Sequence, residues 1–176
     1  MGAWESTWAS GKSCDVRMFL LGAPCAGKST LVPLLREALD CPVLDMDEEL
    51  VRLNGGAWPP LAVKRALTDQ VLAEASGLGD VVVAHSYVDD EQVVRLREAE
   101  WVISLLDLPE HVMRSRAEER MIRDGWSNVE WLPWHLEKID QLHAEHAFSY
   151  VFDATLPTTR LAMVVADTVR TGLRTG

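Results

Sequence analysis

VRMFLLGAPCAGKSTLVPLLREAL, residues 16–39, is the stretch that decides the fold of this 176-residue chain. Its first part has the length and apolar content of a buried strand, and its last part has the spacing of an amphipathic helix. Between them stands G-x-x-x-x-G-K-S, the spacing of a phosphate-binding loop, in which main-chain N–H groups and a helix N-terminus surround an anion. We take the loop to comprise Gly22, Ala23, Pro24, Cys25, Ala26, Gly27, Lys28, Ser29 and Thr30.

A second Gly-Lys-Ser occurs at residues 11–13, but it has no strand before it and has Ser6 where the first glycine belongs. We therefore interpret this copy as a coincidence. Residues 1–15 show no periodicity, which predicts a loose N-terminal arm in front of one domain over 16–176.

Apolar runs of strand length alternate with segments of helical spacing along the rest of the chain. This alternation predicts an α/β fold of three layers, with a doubly wound five-stranded parallel sheet between helices. The predicted strands are 16–22, 42–45, 80–85, 101–106 and 149–153. The predicted helices are 28–39, 46–53, 60–76, 89–98, 109–123, 129–146 and 158–172.

The composition excludes several classes of protein. A formal charge of -10 argues against a nucleic-acid polymer as partner, because neutralising its phosphates needs excess Lys and Arg. The apolar runs are shorter than the roughly 20 residues that span a bilayer, so we expect no membrane partner. Cys14, Cys25 and Cys41 form no C-x-x-C pair, and we expect reduced thiols in a cytoplasmic protein. His143 and His146 fit a solvated helix face better than a metal site.

A pair of carboxylates follows the second predicted strand, in PVLDMDEEL at residues 42–50. Side chains two apart at a strand end point the same way, so Asp45 and Asp47 would lie together above the carboxyl edge of the sheet. One could hold a magnesium ion while the other orients or deprotonates a hydroxyl. The alternative is that both cap the following helix, and the two roles are compatible.

The loop and the Asp-x-Asp together resemble the small P-loop kinases related to shikimate kinase and gluconate kinase, which have the nucleoside-monophosphate-kinase-like P-loop NTPase fold. The resemblance implies that ATP and Mg²⁺ bind, with Lys28 bridging the terminal phosphates and Ser29 ligating the metal. It also implies that Asp45 lies near the metal and that Asp47 contacts the hydroxyl to be phosphorylated.

The segment LLDLPEHVMRSRAEERMIRDGW, residues 105–126, is similar to the lid region of these kinases. Arg116, Arg120 and Arg123 recur at i, i+4 and i+7 and share one helix face, and the resemblance implies that lid arginines close over the ATP phosphates. The alternative is a solvated face on which Glu119 pairs with two of them.

The resemblance also implies a substrate-binding region at about 46–70 and a lid at about 114–134 within the single domain. In the resembling kinases, the turn after the last strand helps to enclose the adenine, and Pro157 stands at about that position. A proline that simply opens the last helix is the alternative.

The predicted acceptor contacts are Asp47, Arg52, Trp58, Arg65 and His85. Shikimate kinases carry Gly-Gly-Gly after the third strand, whereas this chain has His85-Ser86-Tyr87, which argues against shikimate as the acceptor. His85 either acts on the substrate or is a satisfied strand-end histidine. Trp126, Trp131 and Trp134 could flank an apolar or ring-bearing acceptor. The alternative for Trp131 and Trp134, which have helical spacing, is that they belong to the core.

The predicted function is an ATP-dependent phosphotransferase acting on a hydroxyl of a small molecule, which could be a metabolite, a nucleoside or an antibiotic. A nucleotide kinase is the nearest alternative, but it needs an arginine-rich acceptor pocket. The other alternative is a non-catalytic nucleotide-binding module. A GTPase switch is disfavoured, because the chain has no Asn-Lys-x-Asp motif for binding guanine. We expect a monomer or a homodimer.

Overall fold

The computed structural model describes residues 16–125 and 128–171. The predicted N-terminal arm, the Gly-Lys-Ser at 11–13, Cys14 and Trp126 lie outside these ranges. Among the described helices, none is both long and apolar enough to cross a bilayer.

One five-stranded sheet forms the centre of the fold, and all of its strand pairs are parallel. The strands are β1 (Arg17–Leu21), β2 (Val43–Asp45), β3 (Val81–His85), β4 (Val102–Asp107) and β5 (Tyr150–Asp153). Their order across the sheet is β2-β3-β1-β4-β5. The predicted doubly wound parallel sheet of an α/β fold is confirmed.

The helices follow the predicted order, with ends shifted by at most one residue except between 128 and 146. They are α1 (Lys28–Ala38), α2 (Met46–Leu53), α3 (Leu61–Ser76), α4 (Asp90–Glu98), α5 (Glu110–Asp124), α6 (Leu132–Ala144) and α7 (Thr158–Thr171). A 3-10 turn, Asn128–Trp131, precedes α6, so the single predicted helix over 129–146 is wrong. Pro133 lies in the first turn of α6, where a helix tolerates a residue without an N–H.

The core lies on both faces of the sheet. Every residue of β3 is buried, and so are all residues of β1 after Arg17. Strands buried on both faces need an almost continuous apolar sequence, which RMFLL and VVVAH provide up to the final histidine. On the helical layers, α1 packs against α7 and α2 packs against α3.

The strand order brings the predicted motifs to one edge of the sheet. β1 lies at the centre, with β3 on one side and β4 on the other, so the loop after β1 opens at the point where the strand order reverses. Doubly wound sheets bind ligands at this point. Leu21 of β1 is opposite His85 of β3, and Asp45 of β2 is opposite Ala84 of β3. The carboxyl ends of β1, β2 and β3 therefore lie at the same level of the sheet.

Candidate functional site

The phosphate loop leaves β1 through a glycine that has no room for a side chain. The Gly22 N–H donates to the His85 carbonyl at 3.1 Å. A Cβ on Gly22 would lie 3.1 Å from Leu106 Cβ and 3.3 Å from Ala26 Cβ, closer than such atoms normally approach. The first glycine of the motif is therefore needed for packing of the loop against the sheet.

The second half of the loop turns into α1. The Ala26 N–H donates to the Ala23 carbonyl at 3.1 Å, and Cys25 has a positive φ of 66°. Gly27 precedes α1 in the left-handed region with φ 94°, a conformation that favours glycine. The first amides of a helix have no intrahelical acceptor, so the start of α1 presents N–H groups suited to an anion.

Lys28 is held against this loop by its own side chain. Its Nζ donates to the carbonyl oxygens of Gly22 and Ala23, the second at 3.0 Å. Burial lowers the pKa of Lys28 to about 8, and the charges of Asp47 and Asp45 act in the opposite direction. The ammonium therefore lies beside the loop and within electrostatic reach of both carboxylates, and it is mainly protonated at neutral pH.

The two aspartates at the end of β2 differ in their surroundings. Asp45 is 7% exposed, and its Oδ1 accepts the Asp47 N–H at 2.9 Å, so it caps α2. Burial raises the pKa of Asp45 above its usual value. Asp47 lies in the first turn of α2 with an exposed side chain. The capping alternative thus applies to Asp45, while the Asp47 carboxylate is open to a ligand.

The donor set at this edge suits magnesium. Ser29 offers an exposed hydroxyl in the first turn of α1 and Asp45 offers a carboxylate, and Mg²⁺ in kinase sites is usually bound through one or two protein oxygens plus phosphates and waters. In the ranges 16–125 and 128–171, no cluster of three His, Cys, Asp or Glu side chains could hold a metal by itself. His143 packs edge-on against Phe148 at 4.9 Å between ring centroids.

The structure separates the three lid arginines. Arg116 is half-buried and its Nη1 donates to the Cys25 carbonyl at 3.3 Å, which joins α5 to the phosphate loop. Arg120 lies 4.0 Å from Asp124 through its Nε, and its positive charge also lowers the pKa of Lys28. Arg123 makes two 2.8 Å hydrogen bonds to Asp124. Of the three, Arg116 is hydrogen-bonded to the phosphate loop, whereas Arg120 and Arg123 both lie against Asp124 rather than Glu119. A common target of the three arginines on the ATP phosphates stays a prediction.

Two predicted acceptor contacts are engaged with carboxylates. Arg52 pairs with Glu49 at 2.7 Å and lies 3.8 Å from Glu74. Arg65 lies 3.3 Å from Asp89 and also pairs with Glu91. Neither guanidinium is presented to the sheet edge as a free anion-binding group.

Trp58 is exposed and takes part in a cation–π contact. The Lys64 Nζ lies 4.9 Å from the centroid of the Trp58 ring. The charge of Lys64 lowers the pKa of His85, so this lysine on α3 lies near the end of β3. Lys64 was not predicted from the sequence, because a half-buried lysine on a helix has no distinctive local pattern.

His85 lies at the sheet edge, as predicted, and is buried. Burial lowers its pKa well below the usual value, with smaller contributions from the charges of Lys64 and Lys28. His135 on α6 is also buried, its pKa lowered to about 4 by burial and then by Lys28. His135 was not predicted from the sequence. It occupies one position of the buried stripe Leu132, His135, Ile139 and Leu142, and a polar residue in such a stripe is the signal that could have found it.

Aromatic side chains line the same side of the site. Tyr87 stacks on Trp134 with centroids 4.1 Å apart and planes 19° apart. Trp131 meets Trp134 at 71° and 6.2 Å. Both tryptophans are exposed, by 47% and 44%, so the interpretation of Trp131 and Trp134 as core residues is wrong.

Pro157 lies just before α7 and is exposed. Its carbonyl accepts the Leu161 N–H at 3.0 Å, which is the first hydrogen bond of that helix. This geometry fits the helix-opening interpretation, and contact of Pro157 with adenine stays a prediction.

The fold and the loop have the architecture of the small P-loop kinases, and comparison with known proteins agrees. Shikimate kinase of Aquifex aeolicus (strain VF5) is 28% identical over 112 residues, 59% of this chain and 67% of that protein. Its crystal structure matches with TM-score 0.70 and 20% identity, over 92% of this chain and 100% of that one.

Other solved structures show the same fold. Shikimate kinase from Acinetobacter baumannii in complex with shikimate matches with TM-score 0.71 and 21% identity, over 92% of this chain and 96% of that one. A gluconokinase from Sinorhizobium meliloti 1021 gives TM-score 0.63 and 18% identity, over 92% and 97%. No family model matches the chain. The predicted resemblance to the shikimate kinase and gluconate kinase group is confirmed, and these relatives support a small-molecule kinase.

Proposed function

We propose that this protein is an ATP-dependent kinase that transfers the γ-phosphoryl group of ATP to a hydroxyl of a small molecule. The observation that carries the proposal is the placement of Lys28 between the phosphate loop and the carboxylates of Asp45 and Asp47. A nucleotide-binding module needs the loop, but it has no use for a carboxylate open to an acceptor at the same sheet edge.

The reaction is an in-line displacement. The acceptor oxygen forms a bond to the γ-phosphorus while the bond from that phosphorus to the β–γ bridging oxygen breaks, and the electron pair leaves with ADP. The hydroxyl proton passes to the Asp47 carboxylate and then to solvent. Alignment and charge neutralisation matter more to such transfers than strong base catalysis.

The remaining residues have assignable roles in this step. Main-chain N–H groups of the loop and of the start of α1 that have no acceptor among the described residues orient the β- and γ-phosphates, and Lys28, Arg116 and Arg120 neutralise charge on the transferred group. Ser29 and Asp45 would hold Mg²⁺, which would supply further neutralisation of the phosphate oxygens. We assign these roles to one domain over 16–176, with the substrate region and the lid at the predicted positions.

The comparisons support a small-molecule acceptor, because one relative is named as a shikimate kinase in complex with shikimate and another as a gluconokinase. The nucleotide-kinase alternative is weakened by the site itself. A phosphate acceptor needs free arginines, and Arg52 and Arg65 are already paired with carboxylates.

The proposal is tested by incubating the purified protein with ATP and Mg²⁺ and a panel of alcohols, nucleosides, nucleotides and aminoglycoside-like compounds. Phosphorus NMR of the products separates a phosphate ester, formed on a hydroxyl, from a phosphoanhydride, formed on a nucleotide phosphate. We expect an ester. An anhydride would favour the nucleotide kinase, and ATP binding without acceptor-dependent turnover would favour the binding module.

A further inference from the structure

The first half of α6 lies over the carboxyl end of β3. Tyr87, two residues beyond that strand, stacks on Trp134 of α6, and its ring lies 6.2 Å from the ring of His135. The charges of Lys28 and Lys64 act on both His85 and His135. Since the Gly22 N–H also donates to the His85 carbonyl, the two histidines and the stacked pair lie at the end of β3 beside the phosphate loop, where the proposed reaction needs its acceptor.

Both histidines carry a buried nitrogen that has no hydrogen-bond partner among the described residues. His85 is 3% exposed and His135 is 9% exposed, and in each ring the unpaired atom is Nδ1. Buried polar atoms in proteins are almost always paired, so two unpaired atoms of the same kind beside a candidate site call for a ligand group.

The protonation of His135 decides what that ligand group can be. Burial keeps the ring neutral at pH 7, and its hydrogen bond with the Ser86 main chain raises the pKa, as a bond donated to a carbonyl does. With Nδ1 unpaired, the donor is Nε2, and Nδ1 of the neutral ring is then an acceptor. A hydroxyl can donate to this atom, whereas an ionised carboxylate cannot.

The aromatic surface beside the histidines suits a ring. Trp134 is stacked on Tyr87 on one side and is still 44% exposed, and Trp131 is 47% exposed. Small-molecule sites are lined mainly by apolar and aromatic side chains with a few polar groups that fix orientation. Here the orienting groups would be two neutral imidazoles.

The charges nearby do not form a site for an acidic acceptor. Arg52 and Arg65 are paired with carboxylates, and the Lys64 ammonium lies over the Trp58 ring at 4.9 Å. To pair its carboxylate, an acidic acceptor would have to draw Lys64 out of this cation–π contact, and that carboxylate could not be placed against the lone pair of His135 Nδ1.

We propose that the acceptor is a neutral, ring-bearing polyol that donates a hydroxyl hydrogen bond to His135 Nδ1 and packs its ring on Trp134, with His85 contacting a second hydroxyl. This inference rests on the proposed kinase function and deepens it by naming the class of acceptor. His135 is then the residue that determines specificity, and Asp47 acts on the hydroxyl that receives the phosphoryl group.

The test compares neutral and acidic acceptors in ATP turnover and in tryptophan fluorescence. The neutral compounds are myo-inositol, glucose and adenosine, and the acidic ones are shikimate and gluconate. We expect at least one neutral compound to quench the fluorescence of the Lys28→Ala variant and to drive turnover of the parent enzyme above both acids.

Variants on α6 provide the matched comparison. His135→Phe keeps a ring but removes the acceptor atom, and it should raise the KM for the neutral compound about tenfold, the change expected for one lost hydrogen bond, with a smaller change in kcat. His135→Asn keeps an acceptor near Nδ1 and should recover part of this loss. His143→Phe, on the exposed side of the same helix, should leave both constants unchanged.

The outcomes separate this inference from the proposed function. If shikimate or gluconate outperforms every neutral compound, or if His135→Phe leaves KM unchanged, the acceptor class is wrong while the kinase function stands. If neutral compounds quench the fluorescence but none accepts phosphate, the kinase function fails and the binding class stands. If no neutral compound either binds or is phosphorylated, the inference is overturned.

Discussion

The two ends of the candidate site are built in different ways. The phosphate end comes from one continuous stretch, residues 22–30, and its shape depends on main-chain features such as the left-handed Gly27. The proposed acceptor end is assembled from side chains of three separate regions, represented by Asp47, His85 and His135. A phosphate is the same group in every nucleotide and can be bound by amides, whereas an acceptor must be told apart by side chains.

The largest expected effect tests the phosphate end. We expect Lys28→Ala to lower kcat about 1,000-fold, because it removes a charge positioned for the transferred phosphoryl group. The melting temperature should not fall, since burial already disfavours the charged form of this lysine. Steady-state kinetics and thermal unfolding measure the two quantities. Full activity in this variant would remove the loop lysine from the mechanism.

The second prediction compares Asp45 and Asp47, which lie between the phosphate end and the proposed acceptor end of the site. Asp47→Asn should lower kcat about 100-fold with ATP affinity intact, as expected when a group that accepts a proton is lost. Asp45→Asn should keep the helix cap, because asparagine caps as well as aspartate, but should need more Mg²⁺ for half-maximal turnover. Magnesium titrations of both variants check this. Equal responses would mean that the two carboxylates share one role.

The third effect compares two arginines of α5. Arg116→Met should lower kcat about 10- to 100-fold, since its guanidinium reaches the phosphate loop and its charge would act on the transferred group. Arg123→Met is the matched control and should change kcat less than about twofold, because an exposed pair such as that with Asp124 contributes little. A larger loss for Arg123 would show that the lid rearranges when ATP binds.

The smallest effect is a change in protonation. The pKa of Lys28 is about 8 without ATP, and a bound phosphate favours the charged form, so binding must raise this pKa. At pH 8 the protein should therefore take up about half a proton per ATP bound. Calorimetry in buffers of different ionisation enthalpy measures the uptake, which should vanish in Lys28→Met. Release of protons on ATP binding would contradict the expected rise in the pKa of Lys28.

The phosphate end could be predicted from the sequence because its information is local. The glycines, the lysine and the strand and helix around them lie within 24 consecutive residues, 16–39, and their spacing alone specifies the loop. The sheet was also predictable, since apolar runs such as VVVA mark strands buried on both faces. The second Gly-Lys-Ser, at 11–13, lies outside the described residues, so its interpretation as a coincidence stays a prediction.

The acceptor end could not be predicted to the same extent. Whether Arg65 is free or paired depends on Asp89 and Glu91, which lie about one helix and one strand further along the chain. The stacking of Tyr87 on Trp134 joins residues on different elements, and no spacing rule connects them. Helical periodicity placed Trp131 and Trp134 on one face, but it could not say that this face is open to solvent.

The hydrogen bond from Gly22 to His85 has a consequence for how this protein could diversify. The bond uses only main-chain atoms, so it ties the first residue of the phosphate loop to the end of β3 whatever side chain stands at position 85. If His85 contacts the acceptor as proposed, natural selection can exchange that side chain, and the acceptor with it, without displacing the proposed ATP-binding loop. One backbone contact lets a lineage keep its donor while it explores new acceptors.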